Sequence, residues 1–409
     1  MQTSWEHRFA HRTEGMSGSA IRELLKFSSL PDVISFGGGL PAPDVFPIQK
    51  FIEASDTVLK EMGDRALQYG TTEGYQPLRE LIAHNAIEYG IPISSDNVLI
   101  TSGSQQALDL LGKIFINRGD RVLTESPTYL GAIQAWNAYG AKYLTVTSDD
   151  DGMQTEHLEE LIDTYVKFMY VLPNFQNPTG VTLSRERRKQ LVEVANRYSV
   201  PIIEDDPYGQ LRYEGEHLPP VVVMDDELRS NKVPAYRGNV IYTSTFSKIL
   251  APGLRLAWVI APVEVIEKLV QAKQGADLHT STFTQYIAYE VIREPSWMKN
   301  HIQMIRKVYR ERRDVMLKAL EEFMPDGTRW THPKGGLFLW VSLPKGYDTN
   351  KIFPKAIEQK VAYVPGTAFH PNGGGENTMR LNFSYSKPEI IYEGIQRLAK
   401  VVKQNPLVI

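Results

Sequence analysis

Lys248 stands in Tyr242-Thr-Ser-Thr-Phe-Ser-Lys248-Ile-Leu-Ala-Pro-Gly-Leu-Arg255, just after an apolar stretch that includes Val240 and Ile241. A lone lysine is ordinarily an exposed loop residue. Here Thr243, Ser244, Thr245 and Ser247 crowd around it, and Arg255 follows seven residues on. An amine at the end of a buried strand, among hydroxyls, is placed to form a Schiff base with an aldehyde cofactor. The hydroxyls and Arg255 would hold an anion beside it.

Four further pieces supply complementary chemistry. Thr101-Ser-Gly-Ser-Gln-Gln106 has the order strand, small-residue turn, helix start. Its amides and helix dipole suit an anion, and Ser104 adds a hydroxyl, although a serine there alone is ordinarily just an N-cap. Gln176-Asn177-Pro178-Thr179-Gly180 reads as a turn. At a strand's C-terminal end, Asn177 can also donate to a ring oxygen and a carboxylate. Ile203-Glu204-Asp205-Asp206-Pro207-Tyr208 sets carboxylates against a buried strand, which is costly unless they are paired. A pyridinium nitrogen suits Asp205, and Asp206 reads as a cap or turn residue. Met379-Arg380-Leu-Asn-Phe383 carries an arginine inside a strand, whose fork matches an α-carboxylate as well as it does a structural partner. Lysine, anion cradle, ring-nitrogen acid, ring-oxygen donor and carboxylate-binding arginine together are what pyridoxal phosphate requires.

These groups need a framework. Nearly continuous apolar runs over Asn97–Thr101, Arg121–Glu125, Lys142–Thr147, Lys167–Leu172, Val200–Glu204, Val240–Thr245 and Leu256–Ile260 predict strands buried on both faces. Helical segments such as Gln105–Ile116, Tyr129–Tyr139 and Arg185–Tyr198 alternate with them. The pattern predicts an α/β fold whose large domain holds a mainly parallel seven-stranded sheet between helices. After Met298 the pattern changes. A charged helix over Lys299–Phe323 precedes strands at Gly336–Ser342, Val361–Val364 and Met379–Tyr385, and a final helix runs from Pro388 to Lys403. That reads as a smaller α+β domain. The expected division is an arm and part of the small domain over 1–45, a cofactor-binding domain over 46–298 and the small domain over 299–409. The arm ahead of Phe46 is expected to pack on the small domain or cross the cleft.

The 409 residues are 42% hydrophobic and 23% charged, with net charge −3, enough for a large core and near neutrality. That balance argues against nucleic-acid and anionic-membrane partners. No apolar run reaches transmembrane length, and Met1 to Thr13 lack a signal-peptide core, so cytoplasm is the default. With no cysteine, disulfides and thiolate metal sites are excluded, and no metal is expected.

Over nearly its whole length the chain resembles the fold-type I pyridoxal-phosphate aminotransferases, whose fold is aspartate-aminotransferase-like. It particularly resembles the branch with 2-aminoadipate, kynurenine and aromatic aminotransferases. Ala20-Ile-Arg-Glu-Leu-Leu, Ser35-Phe-Gly-Gly-Gly-Leu-Pro-Ala-Pro, Ser102-Gly-Ser-Gln-Gln, Asn177-Pro-Thr-Gly, Asp205-Asp-Pro-Tyr, Ser247-Lys248 and Gly366 carry that likeness. Gln271-Ala-Lys-Gln-Gly-Ala-Asp-Leu-His279 and the Arg22 segment narrow it toward the 2-aminoadipate aminotransferases.

The resemblance implies that Lys248 binds the cofactor aldehyde and shuttles a proton, and that Asp205 pairs with the ring nitrogen. Asn177 and Tyr208 would bond the ring oxygen and Tyr129 would stack on the ring. Ser104, Gln105, Thr245, Ser247 and Arg255 would hold the phosphate. Tyr69 would reach the neighbouring subunit's phosphate, which implies a homodimer with shared sites. Arg380 and Asn177, with backbone near Gly39, would bind the substrate carboxylate. The implied reaction transfers an amino group from 2-aminoadipate, an aromatic or branched amino acid, or glutamate to a 2-oxo acid such as 2-oxoglutarate. Arg22, between Gly18-Ser19 and Ser28-Ser29-Leu-Pro31, is the candidate for a mobile residue that enters for acidic side chains. A β-lyase or decarboxylase of this fold would share every one of these residues. A ligand-sensing regulator would also share the fold, but too little chain precedes the enzyme-like region for a DNA-binding module, and the charge is not basic.

Overall fold

The computed structural model describes residues 5–16, 32–88, 90–91, 93–228 and 236–405. Its larger sheet contains β1 (Val98–Thr101), β2 (Arg121–Ser126), β3 (Lys142–Asp149), β4 (Gly152–Met153), β5 (Val166–Val171), β6 (Ile202–Asp205), β7 (Val240–Thr245) and β8 (Ala257–Ile260). Their order across the sheet is β1-β8-β7-β6-β5-β2-β3-β4. Seven of these strands overlap the segments expected from the sequence. The expected count of seven is corrected to eight by β4, a two-residue edge strand antiparallel to β3 and too short to leave an apolar run.

Parallel pairing links β3 to β2, β2 to β5, β5 to β6 and β6 to β7. β8 runs antiparallel to both β7 and β1. β1 therefore points the same way as β7, and the C-terminal ends of β1, β2, β3, β5, β6 and β7 share one edge. Successive strand residues face opposite sides. Leu99, Ile203, Ile241 and Val259 pack with Leu108, Trp136 and Leu269 on one face. Ile100, Ile202, Val240 and Ile260 join the larger cluster on the other. With both faces covered, the strands carry continuous apolar runs instead of alternating ones.

A smaller antiparallel sheet contains β9 (Arg329–Trp330), β10 (Phe338–Ser342), β11 (Val364–Pro365) and β12 (Thr378–Asn382), in the order β9-β10-β12-β11. Helix α2 (Pro295–Phe323) spans 29 residues, with Pro295 pre-set for its first turn. It is long enough to reach about 44 Å. Its Arg306 Nε donates to Gln210 O (2.7 Å) and its Arg312 Nη1 to Ser384 O (2.5 Å), so the one helix braces segments of both halves of the chain. It also packs on the last helix, α3 (Pro388–Gln404).

The strand expected over Val361–Val364 is split. Val361–Ala362 pairs with Ile34–Ser35, while Val364–Pro365 crosses to β12. Tyr363 between them is fully buried and donates to Thr349 O (2.6 Å). Ile34–Ser35 therefore join the C-terminal half, and the chain then runs into the cleft. Asn382 N donates to Phe36 O (2.8 Å), and the carbonyls of Gly37 and Gly39 accept from Arg380 and Lys248. Among the described residues no helix is long and apolar enough to cross a membrane, and no group of His, Asp and Glu is arranged to hold a metal.

Candidate active site

The shared strand edge opens into a cleft of about 310 Å³. Every expected site residue among the described ones lines it apart from Tyr69. Lys248 follows β7 on a short turn. Its Nζ donates to Gly39 O at 2.8 Å, so the arm's backbone closes over the amine. Burial, aided by the charges of Arg380 and Arg255, holds Lys248 down to about 8. An amine so depressed is far more often neutral near pH 7 than an ordinary lysine is.

Asp205 is the last residue of β6 and is 3% exposed. Tyr170 OH donates to its Oδ2 (2.8 Å), while Oδ1 is buried without a partner. Burial pushes this carboxyl up to about 7, against the lowering effect of the Tyr170 bond. A cationic partner at Oδ1 would restore its charge. Asp206 has the bland role expected of it: its Oδ1 accepts from Asn174 Nδ2 (3.0 Å) and Gly209 N (2.8 Å), closing the turn.

Arg380 lies in β12, flanked in register by Trp340 of β10 and Val364 of β11. Its Nη1 donates to Asn177 Oδ1 (2.7 Å) and its Nη2 to Gly37 O (2.6 Å), while Nε is buried and unpaired. The guanidinium sits over the rings of Phe338 (4.3 Å to the centroid) and Phe369 (4.9 Å). Burial lowers it to about 10, so it stays charged at neutral pH. Because Asn177 Oδ1 is engaged, its Nδ2 is the donor end, beside the Tyr208 phenol. Burial raises the phenols of Tyr208 and Tyr129, keeping both protonated.

The other end of the cleft begins at Ser104, the first residue of α1 (Ser104–Phe115). The preceding Gly103 has φ 83°, a conformation that favours glycine, and a Cβ there would lie 2.1 Å from Arg255 Nη2 and displace that guanidinium. Thr245 Oγ1 is 2.9 Å from both Ser247 Oγ and Leu256 O, which fixes the hydroxyl pair. Gln105 Nε2 donates to Gly131 O (2.7 Å), tying α1 to the loop that carries Tyr129.

Three buried polar atoms of residues lining the cleft lack partners: Ser104 Oγ, Asp205 Oδ1 and Arg380 Nε. A hydroxyl donor at a helix start, a carboxylate oxygen and a guanidinium N–H are complements of a phosphate, a protonated ring nitrogen and a carboxylate. The residues present therefore fit pyridoxal phosphate carrying an amino acid.

A family model described as "Aminotransferase class I and II" matches residues 31–398. The chain belongs to the class I and II aminotransferases. This transferase family depends on pyridoxal phosphate. The chain is 48% identical over 408 residues to "Aromatic-amino-acid aminotransferase 1" of Thermococcus litoralis, covering 98% of this chain and 95% of the relative. It is 43% identical over 401 residues to the 2-aminoadipate transaminase of Thermus thermophilus, covering 98% of each chain. A crystal structure of α-aminoadipate aminotransferase from Thermus thermophilus, complexed with N-(5'-phosphopyridoxyl)-L-leucine, superimposes with a TM-score of 0.91. It shares 42% identity and covers 98% of this chain and 99% of that one. The fold is accordingly that of the aspartate-aminotransferase-like enzymes.

One expected site residue of this aminotransferase falls elsewhere, and one is not described. Tyr69 is 79% exposed, with its ring edge against His279 (5.8 Å), and does not line this chain's cleft. Arg22 lies outside the described residues. Tyr170, Phe338 and Phe369 also shape the site, and local sequence marks none of them. A tyrosine in an otherwise apolar strand reads as core, although a buried phenol needs a partner, and that need was the available signal.

Proposed function

We propose that this aminotransferase moves an amino group from 2-aminoadipate, an aromatic or branched-chain amino acid, or glutamate to a 2-oxo acid such as 2-oxoglutarate. The observation that carries this reading is the set of unpaired buried atoms on Ser104, Asp205 and Arg380, arrayed around one cleft with Lys248. Bound pyridoxal phosphate would supply a sink for the electron pair left when a substrate loses its α-proton. Lys248 Nζ would hold the cofactor at its aldehyde carbon, and as a free amine it would carry the proton to and from the substrate Cα. Its depressed pKa supports both tasks.

Asp205 Oδ1 would accept from the ring nitrogen and keep it protonated. Asn177 Nδ2 and Tyr208 OH would donate to the ring oxygen, and Tyr129 would cover the ring face. Ser104, Gln105, Thr245, Ser247 and Arg255 would hold the phosphate. Arg380, with Asn177 and the backbone at Gly39, would orient the α-carboxylate for every substrate. The exposure of Tyr69 supports its serving the partner subunit's phosphate, so the working unit would be a homodimer with shared sites. Arg22 would admit acidic side chains by entering the pocket and apolar ones by leaving it. The names of the two relatives, one aromatic and one 2-aminoadipate, and the leucine adduct in the third support a mixed substrate range.

Steady-state kinetics over a panel of L-amino acids with 2-oxoglutarate test the reading. Acidic, aromatic and branched donors should each yield glutamate. Release of ammonia or carbon dioxide in place of glutamate would make the protein a lyase or decarboxylase.

A further inference from the structure

Lys273, on the helix Val263–Gln274, has a side chain that is 0% exposed, yet it carries a charge. Its Nζ donates to Gln106 Oε1 (2.7 Å), Asp277 Oδ1 (2.7 Å) and Asp277 Oδ2 (2.9 Å). Asp277 Oδ2 also accepts from Gln106 Nε2 (2.7 Å) and from Ser102 Oγ (2.9 Å). Gln106 Oε1 in turn accepts from Ser102 N (2.8 Å). Ser102 is thus held by both its hydroxyl and its amide to groups anchored on one buried ammonium. Thr280 Oγ1 lies 3.3 Å from Ser102 Oγ, because Leu278 at φ 64° turns the chain so that Asp277 and Thr280 both face Ser102.

Ser102 opens the turn that ends at Ser104. On the turn's other side Arg255 lies against Gly103, so the loop is clamped from two directions. A buried ion pair is often no more stabilising than apolar packing of the same volume, so its net contribution to folding does not explain it. What it supplies here is geometry, with four side chains and a backbone amide fixing one turn.

We infer that Lys273, Asp277 and Gln106 are positioning residues that hold Ser102-Gly103-Ser104 in the one conformation that receives the cofactor's phosphate. The inference rests on the proposed reading of that turn as the phosphate cradle. None of the three is assigned contact with cofactor or substrate. Their effect should therefore follow the phosphate alone.

Pyridoxal phosphate and pyridoxal, which lacks the phosphate, separate this role from general support of the fold. The cofactor-free full-length protein, Asp277→Asn and Ser102→Ala would each be titrated with both compounds by absorbance, with circular dichroism to verify folding. Asp277→Asn should weaken pyridoxal phosphate roughly 10-fold, about what losing one charge-assisted hydrogen bond costs, and leave pyridoxal within about 2-fold of wild type. Ser102→Ala should show the same selectivity to a smaller degree, and it carries the test if Asp277→Asn does not fold. Equal weakening of both compounds, or of neither, would overturn the inference. If the wild-type protein itself binds the two compounds equally, the phosphate reading of the turn falls, and the positioning role falls with it.

Discussion

Arg380 and Arg255 both stand at the cleft as cations, yet one is 2% exposed and the other is open to solvent. Arg380 is fixed by its strand register, by two hydrogen bonds and by two aromatic faces. Arg255 sits at a turn with φ 50°, laid over Gly103, with only a long bond (3.4 Å) from Nη1 to Pro252 O. A buried, pre-oriented charge interacts strongly and is screened little. An exposed one is hydrated, screened by salt and cheap to leave unpaired. The Arg380 end of the cleft is thus buried and held on several sides, and the end at Ser104 is built from hydroxyls and a solvated arginine.

The sharpest way to break this contrast is to truncate the buried cation. Arg380→Ala should reduce kcat/KM for all amino donors alike by about 2–5 kcal/mol, which is roughly 30- to several-thousand-fold. A loss confined to one class of donor would move Arg380 from carboxylate to side-chain recognition. Asp205→Asn removes the charge and keeps the shape. Loss of one preorganised electrostatic contact predicts a fall in kcat of roughly 10²-fold or more, with a smaller change in cofactor affinity. Near-normal kcat would transfer the role to another acid.

Arg255→Ala should weaken pyridoxal phosphate only about 10-fold, and that difference should shrink as salt is raised. A large, salt-independent loss would place Arg255 in the same class as Arg380. The effect of pH is smaller again. Only the neutral amine can attack an aldehyde, so the rate of cofactor uptake should rise with pH through about 8 and level off above it. A midpoint near the ordinary lysine value of 10.5 would mean that burial does not depress Lys248.

The sequence exposes one half of this contrast better than the other. Asp205, Asn177 and Lys248 fall at or after strand ends, where apolar runs break into polar turns, so their places on one edge follow from the parallel order of the sheet. The rigidity of Arg380 does not follow from local pattern. Phe338 and Phe369 lie on separate segments and read as core, and the carbonyls of Gly37 and Gly39 carry no side-chain signal. Tyr170 is hidden for the same reason, inside an apolar strand. β4 has too few residues for periodicity to register. The bond from Ser102 to Asp277 joins residues 175 apart, and only the packed tertiary structure brings them together.

All of this depends on which amine binds the cofactor. Incubation with pyridoxal phosphate, borohydride reduction and peptide mapping by mass spectrometry tests that directly, with Lys248→Ala as the control. The phosphopyridoxyl group should be found on Lys248, and Lys248→Ala should carry none and lose turnover by several orders of magnitude. A label on another lysine, or turnover retained in Lys248→Ala, would contradict the account.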